Sequence, residues 1–264
     1  ARQSENQSFP DPGDALEELY ASGLLELSAD GAIRPTTLGR GAASSGLSVR
    51  QAVFLSQGYV EHHPDTPLVV LALAVSAPDR ELPPGFLTRS EMLQPSFLQA
   101  VYERFGHSLG ELRPLLPSGL LRPPLESRVL ADLKAVMLLE DWRRMMPVRK
   151  LEERYQIHLG QIMTLGENIA HLLSSLAKLI EVYDRSGEQT GKIHDLSFSF
   201  RYGLDPALRE IRTRLGDIIT RTEYAALHRA GLTATGAIAA LSRSELGDLI
   251  GSPSKAAKIE IKLE

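Results

Sequence analysis

The chain has 264 residues, of which 43% are hydrophobic, a formal net charge of −4 and no cysteine. That length and apolar content can fill one large core or two to three small ones, while the missing cysteines exclude disulfides, thiolate metal sites and thiol redox chemistry. The acidic balance argues against nucleic-acid binding through overall charge, so any such contact has to be local.

No run approaches the roughly 18 apolar residues of a membrane span, and the polar start ARQSENQSFPDPGD lacks the apolar centre of a signal peptide. A cytoplasmic protein without a membrane partner is expected. The start at Ala1 rather than Met points to a fragment or processed product, although a trimmed initiator Met would look the same.

Helical signals dominate. Asp14 to Tyr20 reads as a short helix with Asp14 as N-cap, Leu16 and Leu19 turned inward and Gly23 at its end. LLELSADGAIRPT follows as a small hairpin turning at Asp30-Gly31, so helix and two-stranded wing form the closing half of a winged helix. Thr36 to Arg40 leads into a small-residue segment, and Ser48 with Gln51 forms a capping box for a helix from Val49 to about Gln57. Asp65-Thr66-Pro67 opens PLVVLALAVS, apolar on most faces and therefore a helix buried inside a bundle. Residues 77–85, APDRELPPG, form a loop.

Phe97, Leu98, Val101, Tyr102 and Phe105 recur at helical spacing, and Pro114, Pro117, Pro123 and Pro124 then break the chain. Asp132 to Val182 is the most informative stretch: a helix bearing Trp142, a short extended linker and a second helix of about six turns. In that second helix Ile162, Leu165, Ile169, Leu172, Leu173, Leu176 and Ile180 make one apolar stripe. Opposite stand Met163, Glu167, His171, Ser174, Ser175 and Lys178, a face poor in the Lys and Glu of an ordinary solvated surface. It either meets a ligand or packs on another domain. Beyond residue 193, Asp205-Pro206 starts one helix, Ser242 with Glu245 caps another and Ser252-Pro253 starts the last, the texture of a helix-hairpin-helix module. Its hairpin glycine, Gly216, is followed by Asp217, an acid where a phosphate would approach.

Basic residues cluster at Arg143, Arg144, Arg149, Lys150 and Arg154, and again at Arg209, Arg212, Arg214 and Arg221. Each cluster reads either as a phosphate contact or as a solvated helix face. No GxxxxGK[ST], GxSxG, HExxH or EF-hand spacing occurs, and no Asp-Glu pair follows an apolar strand. His62-His63 with Asp65 is the tightest group of metal-ligand residue types, with no third histidine near it in sequence, and Glu17-Glu18 and Glu152-Glu153 read as solvated carboxylates.

Several segments, in order, resemble the C-terminal accessory region of a Ski-type superfamily 2 DExH-box helicase, the branch that includes archaeal fork-repair helicases and the helicase part of a eukaryotic repair polymerase. ALEELYASGLLELSADGAIRPTTLGRGAASSGLS resembles the end of the winged-helix domain, with the Thr-x-Leu-Gly-Arg pattern at Thr36 to Arg40 its most specific piece, and DTPLVVLALAVSAPD resembles the segment that follows. Lys134 to Trp142 and Tyr155 to Gly160, with Leu138, Glu167 and Leu172, resemble the domain whose long ratchet helix lies along an unwound strand, and FRYGLDPALREI, Phe200 to Ile211, resembles the start of the terminal helix-hairpin-helix domain. Met163 stands where the family's ratchet helix carries arginine, His171 where it carries tryptophan, and Gln161 where it carries an acid. Imidazole still stacks on a base, whereas the Met163 thioether offers only a soft apolar contact.

The resulting expectation is a mainly α chain, a helical bundle with a small β-wing at its N-terminal end and a helix-hairpin-helix-like C-terminal module, divided into residues 1–85, 86–190 and 191–264. The resemblance implies a non-catalytic accessory region that contacts single-stranded nucleic acid, DNA favoured over RNA, through Met163, Glu167, His171 and Lys178. Arg143, Arg144, Arg149, Lys150, Arg212 and Arg214 are the expected phosphate contacts. No cofactor or metal is expected in this chain, ATP and Mg belonging to helicase motor domains in cis or in trans, and Trp142 reads as core rather than a stacking platform. The other reading is a helicase-derived scaffold that docks protein partners and no longer grips a strand.

Overall fold

The computed structural model of the protein describes residues 12–181, 184 and 186–263. Expectations that fall on residues 1–11, on Val182 or on Glu264 lie outside these. The chain is mainly α, a helical bundle with one two-stranded antiparallel sheet among the described residues.

Helix α1 (Pro12–Ala21) leads through Gly23, whose φ of 71° ends it, into β1 (Leu25–Leu27) and β2 (Ile33–Pro35). The hairpin pairs Leu25 with Pro35, Glu26 with Arg34 and Leu27 with Ile33, and Gly31 supplies the positive φ of its turn. Two expectations fail at this end: Asp14 sits inside the first turn and does not cap it, and Leu16 is exposed. The segment after the hairpin is itself a helix, α2 (Thr37–Ser45), capped by the Thr36 hydroxyl, which accepts from the Gly39 N–H at 3.0 Å.

Helix α3 (Val49–His62) has the expected Ser48–Gln51 capping box but runs a turn beyond Gln57, to a left-handed His63. In α4 (Pro67–Ser76) every residue from Leu68 to Val75 is buried, as its unbroken apolar sequence requires. Short α5 (Arg89–Met92) and α6 (Pro95–Phe105) precede a 3₁₀ turn and a proline-rich connection. Helix α7 (Ser127–Arg143) then crosses the core with every residue from Leu130 to Trp142 buried. Four of these are charged, and a charge is tolerated there only with a partner. Asp132 pairs with Arg80, Lys134 with Glu91 at 2.8 Å, Glu140 with Arg143 at 2.6 Å and Asp141 with Arg104 and Arg154.

The linker expected after Trp142 is not extended. It holds α8 (Val148–Tyr155), which buries only Leu151 and Tyr155, an i,i+4 pair, beneath an otherwise charged surface. Helix α9 (Leu159–Ile180) has 22 residues, and its expected apolar stripe is buried throughout. Helix α10 (Glu188–Tyr202) packs along it, followed by α11 (Arg209–Leu215), α12 (Arg221–Arg229), α13 (Thr235–Ala239), α14 (Arg243–Ile250) and α15 (Pro253–Leu263). The Asp205, Ser242 and Ser252-Pro253 starts fall where the sequence places them.

One hydrophobic core runs from Ala52 to Phe200 and a second from Phe198 to Ile259 around Tyr224, so the two meet at α10. No described helix is long and apolar enough to cross a membrane.

Candidate nucleic-acid interface

Helix α9 starts where local polar groups hold its free N–H donors: Glu152 Oε1 accepts from Leu159 N at 2.9 Å, and Gln161 Oε1 accepts from His158 N at 3.1 Å. Glu152 therefore caps this helix, beyond the solvation expected of it. Small residues let α10 approach closely. A Cβ on Gly166 would stand 2.4 Å from the Phe200 carbonyl oxygen, and Ser197 donates to Ala170 O at 2.8 Å.

The outward face of α9 divides into two halves. At its C-terminal end α2 lies across it: Ser175 is buried and donates to Ser45 O at 2.9 Å, Lys178 Nζ donates to Ser44 O at 3.2 Å, and Gly46 sits beside the His171 ring. These donors serve the last carbonyls of α2, a favourable place for a cation. Ser175 thus does not belong to the open face. Lys178 and His171 remain exposed but border α2, while Met163 and Glu167 face outward at the N-terminal end.

The first basic cluster is largely occupied. Arg143 makes two bonds to Glu140 at 2.6 and 2.9 Å, Arg144 reaches the same carboxylate at 3.3 Å and Arg149 pairs with Glu153 at 2.8 Å. Lys150 is exposed without an ion pair among the described residues. In the second cluster Arg214 is likewise exposed and unpaired, whereas Arg212 binds Asp217 at 2.7 Å. The acid after Gly216 consequently covers an arginine.

Two adjoining cavities open between α10 and the C-terminal helices, the first reaching Ser174 in the C-terminal half of α9 and the second Leu159 and Met163 at its N-terminal end. The first, about 460 Å³, is polar and takes in Ser174, His194, Arg201, Arg209, Arg212 and Thr213. The second, about 320 Å³, is lined by Trp142, Val148, Leu159, Met163, Tyr202 and Tyr224, with Arg201, Arg212 and Arg221 around it. Arg201, Tyr202, Arg212 and Asp217 belong to both.

Cations and rings are interleaved along this wall. Arg209 lies 4.8 Å over Phe198, Phe198 meets Tyr202 at 5.1 Å, and Arg212 lies 4.8 Å over Tyr202 and 5.7 Å from Tyr224. Stacking and ion pairing hold Arg209 and Arg212 in place, with Arg209 also bound to Asp195 at 2.7 Å. Arg201 is exposed and makes no hydrogen bond or ion pair among the described residues.

Trp142 is core, as expected, yet it also forms a wall of the second cavity. Its Nε1–H donates to Phe200 O at 2.7 Å, and the Arg221 guanidinium stacks 4.1 Å above its ring. Burial draws the Arg221 pKa down to about 10, leaving it cationic at neutral pH. Gly203 ends α10 with a φ of 62° against these groups, and a Cβ there would fall 2.4 Å from Trp142 Cε2.

The structure thus brings Met163 and Arg212 to one cavity, leaves Glu167, His171 and Lys178 farther along α9, and places Arg143, Arg144, Arg149, Lys150 and Arg214 outside the lining of both. Arg201, Tyr202 and Phe198 escaped the sequence reading. The available signal was the i,i+4 aromatic pair Phe198 and Tyr202, with arginines three apart at 209 and 212. Among the described residues no three His, Asp or Glu side chains gather as metal ligands, so His62, His63 and Asp65 hold no such group.

No curated protein matches the chain. Residues 98–203, from within α6 to the glycine that ends α10, match the family model of archaeal helicase domain 4, which supports a helicase accessory region for this part of the protein.

Proposed function

We propose that this chain is the accessory region of a Ski-type superfamily 2 helicase acting in DNA repair, and that it guides a single nucleic-acid strand, DNA in preference to RNA, past the open end of α9. ATPase domains outside these residues, using ATP and Mg, would move the strand, and the face of Met163 and Glu167, continuing toward His171 and Lys178, would act as its track. The observation that carries this reading is the wall of interleaved arginines and rings beside α9, where Arg201 stands uncommitted. Backbone phosphates suit the cations, and a base suits Tyr202, the partly exposed ring of this wall, without regard to sequence. Lys150 and Arg214 supply further cations for the phosphates on either side, and Arg143, Arg144 and Arg149 can contribute only by leaving Glu140 and Glu153.

A second reading, a scaffold that docks protein partners, is favoured by one feature: α2 and internal acids already occupy most of the cations expected to touch a strand. Anisotropy titration of a labelled oligothymidine separates the two. Arg201→Ala is expected to weaken binding about three- to tenfold at low salt and to reduce the slope of log affinity against log salt by about 0.7, one single-strand phosphate contact. Binding of the unmodified chain weaker than about 1 mM at low salt, beyond the usual nonspecific range, would leave only the scaffold.

A further inference from the structure

We propose that the apolar cavity walled by Trp142, Tyr202 and Tyr224 receives one unstacked base of the bound strand, with that nucleotide's phosphate in the adjoining polar cavity. This rests on the strand reading above and adds to it a place where a single nucleotide leaves the track.

Three observations point the same way. The apolar cavity, at about 320 Å³, lies at the lower end of small-molecule sites, which is room enough for one heterocycle. Its lining suits a flat, weakly hydrated ring: Trp142, Tyr202 and Tyr224 with the aliphatic Val148 and Leu159 and the Met163 thioether, these last three at least partly exposed. The polar cavity meets it at Arg201 and Arg212 and adds Arg209 and His194, whose guanidinium and ring N–H groups suit a phosphate, while the Ser174 and Thr213 hydroxyls donate to Ser197 and Arg209 O. Four arginines stand around the two cavities against one lining carboxylate, Asp217, which Arg212 already holds.

Arg201 lines both cavities, so a nucleotide bound there has its anion on one side of this side chain and its ring on the other. Met163 matters here, because a long cation in its place would reach across the mouth of the cavity, whereas a thioether leaves it apolar and yielding. A base in a single strand has no pairing partner to give up, so its transfer costs only stacking on its neighbours.

The test compares three probes on the full chain: an oligothymidine, a sugar–phosphate strand of equal length with every base removed, and free thymidine monophosphate. The oligothymidine should bind about five- to a hundredfold more tightly than the abasic strand, and should quench the emission of Trp142, the sole tryptophan. Val148→Phe, which fills the mouth, should erase both differences and leave abasic-strand affinity unchanged. Leu159→Phe is the second filling variant, and circular dichroism verifies that each is folded.

Equal affinities for the base-bearing and abasic strands would overturn the cavity and leave the strand reading standing. Failure to bind either strand would overturn both. Thymidine monophosphate binding more tightly than the strand would also overturn the assignment, making the junction a site for a free nucleotide.

Discussion

Asp141→Ala is expected to destabilise the protein by about 3 to 5 kcal/mol, the range for removing one partner of a buried ion pair. The carboxylate lies within α7 with its side chain 3% exposed, and it collects donors from two other helices. From α6 comes the Arg104 guanidinium; from α8 come Arg154 Nη1 at 2.9 Å and the Tyr155 hydroxyl at 2.7 Å. Burial and the nearby carboxylate both push the Tyr155 phenol above its ordinary range, so it stays a protonated donor. Alanine would leave that hydroxyl and Arg104 without an acceptor inside the core, while Arg154, half exposed, could turn to water. At this chain length the loss corresponds to a fall in Tm of roughly 10 °C. Asp141→Asn keeps one acceptor oxygen and should recover part of the loss. A thermal melt in which alanine and asparagine variants both match the parent within about 2 °C would show that α8 is held by Leu151 and Tyr155 packing alone.

Asp141 also illustrates what the sequence could and could not disclose. Helix α7 was legible as a helix, but its four buried charges look like surface residues until their partners are known, and those lie up to 52 residues away, as for Arg80 and Asp132. Most local signals hold, Asp14 as the cap of α1 being an exception. The Ser48–Gln51 and Ser242–Glu245 boxes, Pro67 at the first turn of α4 and the α9 stripe each depend on neighbours within a turn or two. Helix α2 was missed because its sequence, TLGRGAASS, has poor intrinsic helicity. Its place is set by distant contacts instead: only glycine fits at position 39, since a Cβ there would strike the Leu24 carbonyl, and Ser45 O meets Ser175. Helix α8 was hidden by its brevity and by two apolar anchors among charges.

The same distinction divides the candidate site. Periodicity identified the outward face of α9, yet which of its residues stay open is decided by α2 at one end and by the C-terminal helices at the other. Neither is a property of the α9 sequence. Arg201 shows the converse, being one arginine among many in the sequence and distinguished only by the acids it fails to meet.

Arg221→Met should weaken the junction between the two cores by about 3 kcal/mol and do so locally. The guanidinium donates to Gly203 O at 2.8 Å, Met146 O at 2.9 Å and Trp142 O at 2.8 Å, so one side chain from α12 satisfies carbonyls near the ends of α7 and α10. Methionine retains packing over Trp142 but leaves those carbonyls to water or unmet, at about 1 to 3 kcal/mol for each that stays buried. Relief from holding a cation in a largely buried place offsets part of that cost. Lysine should rescue little, because one ammonium cannot present the planar fork that reaches three acceptors. The loss should appear in hydrogen exchange as faster opening of α12, its neighbours α11, α14 and α15 and the C-terminal turn of α7, while α4 and α9, which accept no hydrogen bond from Arg221, keep their protection. Strand affinity should fall with it, since Arg221 sets the distance between the α12 and α7 walls of the apolar cavity. Uniform protection across both cores, or full rescue by lysine, would mean that the two cores are held together by the apolar contacts along α10 and not by this arginine.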